Sequence, residues 1–228
     1  MKKEIKKIIT IIKAAPQLKT RIICTLLFLI AGICIELAAN TSTSYNALGL
    51  VYISCAAGYV YQTIMLVSCS GLAQTSSSAK KLQTSFPFYI KMLMNSIFFF
   101  IISLHRIYIA SKPALDISIK ESISTQCFYI LMFSAICFLS SIFEILSQKF
   151  FCLSLISIIV LSATIIIWIR YAIAHSLPFY NITNLTFPIA ITLGFLMIIA
   201  GSLLAILIAN LLYKYPISAH VMRVNNKA

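Results

Sequence analysis

Apolar runs of roughly twenty residues alternate with short polar breaks along nearly the whole chain. That length matches the roughly 20 residues a helix needs to cross the hydrocarbon core of a bilayer. The runs fall at about residues 22–39, 48–72, 88–110, 127–146, 151–174 and 188–213. Backbone groups in lipid have to be satisfied within their own segment, so the expectation is an all-α integral membrane protein with six transmembrane helices. Ahead of the first run, Ile5, Ile8, Ile9 and Ile12 take the i, i+3, i+4, i+7 spacing of one helical face, with Lys2, Lys6 and Lys13 off it. This predicts a basic amphipathic helix over residues 1–16, lying in the headgroup plane and ended by Pro16. A signal peptide is the rival reading, but no small-residue cleavage site closes the run that follows.

The longest internal polar break, QTSSSAKKLQTSFPFYIK at 74–91, separates the second and third runs. Its Ser76, Ser77 and Ser78 offer N-cap oxygens for a helix starting near Ala79, and Pro87 limits that helix to about two turns. Lys80, Lys81 and Gln83 are expected to be exposed, with Leu82 facing a groove. The plainer alternative is a solvated basic turn.

Composition agrees with a membrane class. Of 228 residues, 61% are hydrophobic and 10% charged, and the mean hydropathy is +0.98. A soluble domain carries roughly 45–50% apolar and about 25% charged residues. The net charge of +13 does not indicate nucleic acid, because the basic residues stand at the ends of apolar runs and not in an aromatic-interleaved patch. Fourteen of the 18 Lys and Arg residues fall on one side of the alternation; Arg106, Lys112, Lys120 and Arg170 fall on the other. The positive-inside rule then puts both termini and Ser77 in the cytosol and Ser122 outside.

Charged residues in or beside the spans are expensive, about 2.5–3.5 kcal/mol each at a helix centre. Glu36, Arg106 and Arg170 come at similar outer depth, and an ion pair of Glu36 with Arg106 or Arg170 is expected. Glu144 stands near the inner end of the fourth span, close to Lys149. Interfacial snorkelling with one structural pair is the plain reading of this set; an outer gate or substrate contact is the sharper one. No charge relay threads the midplane, which counts against a proton-coupled carrier.

The seven cysteines show no CxxC and no metal-ligand spacing, and read as small buried hydrophobes; no metal or cofactor is expected. His105, His175 and His220 are isolated, and no HExxH, GxSxG or GxxxxGK[ST] motif occurs, so neither catalysis nor nucleotide binding is expected of the chain itself. In the sixth span Gly201, Ala205 and Ala209 form a small-xxx-small ladder suited to close helix packing, within the subunit or in a dimer. Tyr59, Tyr61 and Gln62 point the second span toward other helices or a pathway.

An amphipathic start, six spans, both ends inside and the stretch SSSAKKLQTSFPFYI between spans two and three together resemble an ABC-2-type permease, the membrane subunit of an ABC exporter. Small members of that family carry a similar K-K-L-Q-T-S-x-P stretch. The resemblance implies that Lys80, Lys81, Leu82, Gln83 and Thr84 couple to a separate ABC ATPase subunit. It also implies a second permease subunit, identical or related, and a bacterial inner-membrane location. The corresponding layout is an interfacial helix at 1–16, a six-helix domain at 17–215 with its cytosolic loop at 74–87, and a cytosolic tail at 216–228. A non-transporting interaction or immunity protein is the alternative.

Overall fold

The computed structural model describes residues 10, 18–38, 48–68, 75, 77–111, 119–150, 152, 154, 156 and 185–217. The expected N-terminal helix, the span at 151–174, Arg170 and the tail beyond 217 lie outside the described residues, Thr10 and the three isolated positions excepted.

Every element described is helical. α1 is Leu18–Ala38, α2 is Leu48–Ser68, α3 is the short Ala79–Gln83, α4 is Phe86–Ala110, α5 is Ile119–Lys149 and α6 is Phe187–Leu211, closed by a 3-10 turn at Leu212–Lys214. Five of these helices are long and apolar enough to cross a membrane. The chain is therefore a membrane-embedded helical protein.

Contacts fix the direction of each helix. Phe28 of α1 packs on Tyr52 and Tyr59, while Glu36 lies at Gly49, so α1 and α2 are antiparallel. Tyr61 of α2 stacks on Phe88 near the start of α4, and Phe99 of α4 meets Gly194 near the start of α6. α5 and α6 run parallel. Cys127 approaches the Leu185 carbonyl at one end, Phe138 meets Gly201 midway, and Lys149 donates to the Tyr215 carbonyl at the other. Thus α2, α5 and α6 point one way, and α1 and α4 the other.

Burial separates a central helix from a peripheral one. α2 buries 67% of its spanning window and α1 only 11%. Tyr61 is buried in α2, as its polar character suggested, whereas Gln62 faces outward. α1 sinks only Gly32 and Glu36 into the protein. A Cβ on Gly32 would stand 2.7 Å from Ile53 Cγ1 and 3.1 Å from the Gly49 carbonyl, so the paired glycines let the two backbones approach. Leu26, Leu27, Ile30 and Ile33 cover the outer face of α1 and remain exposed, as lipid-facing side chains do.

The small-residue ladder of α6 is spent inside the subunit. Gly201 sits against the Phe138 backbone, and Ala205 and Ala209 are buried with Tyr61, Met65, Phe88 and Ile145. Any dimer contact has to use another face. The cysteines divide: Cys127 and Cys137 are buried, but Cys34, Cys55 and Cys152 are exposed, so only part of the set fills the core.

Ser122 is almost fully buried in α5 and cannot report a side of the membrane; Ser111, exposed at the end of α4, can. In a cysteine-free background, single cysteines at Ser77 and Ser111 should be labelled by a membrane-impermeant maleimide from opposite sides, Ser77 only after the membrane is opened. Labelling of both from one side contradicts the helix directions above.

Candidate functional site

α4 organises the polar interior. Phe88, Lys91, Asn95, Phe99, Ile102, Arg106 and Ile109 are all buried. At about 100° per residue they fall within roughly 80° of arc, a single face turned to the bundle. Leu93, Ile97, Ile101 and Leu104 occupy the opposite face and are exposed. Lys91 and Arg106 stand fifteen residues apart on the inward face, about 22 Å along the axis.

Arg106 forms an ion pair with Glu36 of α1, and its Nη1 donates to Gln126 Oε1 of α5 at 3.2 Å. The guanidinium lies 4.1 Å from the Tyr129 ring centroid, so a cation–π contact covers its face. His105 Nδ1 adds a longer approach to Glu36 at 3.9 Å. The structure therefore brings Glu36 and Arg106 together; Arg170 lies outside the described residues.

The second pair departs from the sequence expectation. Lys91, counted with the basic residues on the cytosolic side, is fully buried within α4. Its Nζ lies 2.8 Å from Glu144 Oε2 and donates to Ser140 Oγ at 3.1 Å. Lys149, near Glu144 in sequence, turns instead to the Tyr215 carbonyl at 2.7 Å. Five residues along a helix rotate by about 140°, so Glu144 and Lys149 cannot share a face. Glu144 also fits against Gly58 at the midpoint of α2, where a Cβ would come within 2.7 Å of Oε1. The pair thus lies five residues from the end of α5 and five from the start of α4, near the span end where the sequence put Glu144, and level with the middle of the shorter α2. One turn further along α4, Asn95 is fully buried and neither polar atom of its amide makes a hydrogen bond. Such an unmet group costs about 1–3 kcal/mol.

The polar break forms a small platform at the end of α2 and α4. Its helix begins at Ala79 as expected, but the Ser78 side chain makes no cap bond. Closure comes from the other end, where the Thr84 N–H and hydroxyl both donate to the Lys80 carbonyl, at 3.0 and 2.8 Å. The helix spans five residues, little more than one turn. Pro87 does not merely end it: Pro87 occupies the first turn of α4, where a missing N–H costs nothing.

The five residues expected to couple divide into two groups. Lys80 and Lys81 are exposed and Gln83 is half-buried, donating from Nε2 to the Ser68 carbonyl at 3.2 Å. Leu82 and Thr84 are buried. Leu82 packs on Ile64, with Val60, Phe86 and Ile90 around it, so its groove belongs to its own chain. It anchors α3 to α2 and α4 and offers nothing to a partner.

Beside this platform a cleft of about 520 Å³ opens, lined by Ala79, Gln83, Lys149, the Tyr213–Ile217 stretch and no carboxylate among the described residues. Lys80 extends over the Tyr213 ring, 5.8 Å from its centroid. Among the described residues no three His, Cys, Asp or Glu side chains converge on a possible metal position.

Comparison with protein-family models, curated proteins and solved structures gives no match.

Lys91, Asn95, Gln126 and Tyr129 are the interior residues that sequence reasoning missed. The signal for the first two was the 91-95-99-102-106 spacing, a helical stripe continuing from Lys91 to Arg106.

Leaving one member of the outer pair buried alone should cost about 3–5 kcal/mol, whereas replacing both by apolar residues should be far milder. Glu36→Leu is therefore expected to lower the unfolding midpoint in detergent sharply, and Glu36→Leu combined with Arg106→Leu to recover much of it. A single substitution with no effect on the midpoint would show that the pair contributes nothing to stability.

Proposed function

We propose that this chain is the permease subunit of an ABC transporter, an exporter, driven by a separate ATPase that docks at α3. The observation carrying this reading is the platform: a short helix presenting Lys80 and Lys81 outward while Leu82 and Gln83 fasten it to α2 and α4. A helix so fastened passes a push from below into two spans as a rigid-body tilt. The resemblance of the KKLQTS stretch to ABC-2-type permeases, drawn from the sequence, favours the same assignment.

Two further features favour transport over a purely structural role. The buried face of α4 carries Lys91, Asn95 and Arg106 from one end of the span to the other. Polar groups held at that expense in a membrane interior mark pathways more often than packing. The parallel direction of α5 and α6 supports a count of six crossings with both termini on one side, and the basic asymmetry supports the cytosol as that side. The outer face of α1, exposed at Leu26, Leu27, Ile30 and Ile33, leaves room for a second permease subunit.

The docking test uses residues whose side chains point outward. An ATP-hydrolysing chain should co-purify with the wild type in mild detergent and be lost from the Lys80→Glu, Lys81→Glu double variant, with membrane insertion unchanged. Undiminished co-purification with the double variant, or no ATPase with either protein, would overturn the assignment.

A further inference from the structure

We propose that the cleft between α3 and the end of α6 is a binding site for the headgroup of an anionic phospholipid. Its volume, about 520 Å³, falls within the roughly 300–1,000 Å³ typical of small-molecule sites. Lys149 and Lys214 stand on its wall and Lys80 lies beside it over Tyr213. Of the chain's five acidic residues, Glu144 is the one described near this end of the bundle, and Lys91 engages it in the interior. The cleft therefore presents positive charge without a lining carboxylate among the described residues. An ammonium is a point-charge donor suited to phosphate.

Position selects a lipid over a soluble anion. The cleft adjoins the last turn of α6, whose Leu207 and Leu211 are among the most exposed apolar side chains of the protein. A lipid bound by its phosphate at Lys214 would lay its acyl chains along that strip. Tyr213 and Tyr215 stand at the same level, where amphipathic rings gather at a membrane boundary. Basic pockets among spans on the cytoplasmic side take anionic headgroups in this way. Lys149 reaches across the cleft to the Tyr215 carbonyl, joining α5 to the segment after α6, so an occupant would brace the platform on which α3 rests.

The experiment is native mass spectrometry of the delipidated protein in neutral detergent, titrated with phosphatidylglycerol or phosphatidylcholine, with the unfolding midpoint read in parallel. Phosphatidylglycerol should bind more tightly by on the order of tenfold and raise the midpoint. The Lys149→Gln, Lys214→Gln variant should lose that preference, and the Lys149→Arg, Lys214→Arg variant should keep it. Equal retention of the two lipids would overturn the proposal, as would a folded Gln variant that still prefers phosphatidylglycerol. Displacement of the lipid by glycerol 3-phosphate at similar concentration would also overturn it, by showing a site for soluble anions. No ATPase enters this measurement, so its failure is distinct from failure of the transporter reading.

Discussion

Two cations on one face of α4, each neutralised by a different neighbouring helix, hold the polar interior of this protein together. An unpaired charge is too costly to leave in a bundle surrounded by lipid, so Lys91 and Arg106 dictate which helices stand beside α4 and at what height. Glu144 brings α5 to the first half of α4, and Glu36 brings α1 to its last half. For α1 this matters most, since Glu36 and Gly32 are the residues it buries. Lipid offers no hydrophobic drive for helices to associate, which leaves such pairs and close glycine contacts to set the arrangement.

The glycines follow from the same constraint. Gly58 gives the Glu144 carboxylate room at the centre of α2, and Gly49 lies against the Glu36 backbone and carboxylate. Each ion pair therefore has a place prepared for its acid, where the α2 backbone can come close. Gln126 and Tyr129 complete the setting of Arg106, using a hydrogen bond and a ring face where water is excluded. Ser140 does the same for Lys91. At the basic end, Leu82 extends the apolar packing out to α3, so the platform moves with α2 and α4 and not as a free loop.

Much of this was legible in the sequence because bilayer thickness imposes length and because charges in apolar runs are conspicuous. The spans at about 48–72 and 88–110, the helix start at Ala79 and the pairing of Glu36 with Arg106 or Arg170 could all be argued from residue order. Lys91 could not be placed so easily. Pro87 looked like the last residue of a loop, so the lysine four positions on was grouped with the cytosolic cations, although its stripe continues to Arg106. The family resemblance makes Leu82 a contact for a partner, yet a lone leucine in a polar turn is also what anchors a short helix to its own bundle. The match of Glu144 to Lys91 depends on three helices meeting and has no local signature.

The account stands most directly on the Lys91–Glu144 pair, and a double-mutant cycle across the two residues measures it. Unfolding free energies of Lys91→Met, Glu144→Gln and the double variant should be strongly non-additive, with a coupling of about 2–3 kcal/mol, the upper part of the range for contacting residues. Additive effects would mean that the two side chains do not meet in the membrane, and the arrangement of helices around α4 described here would be wrong.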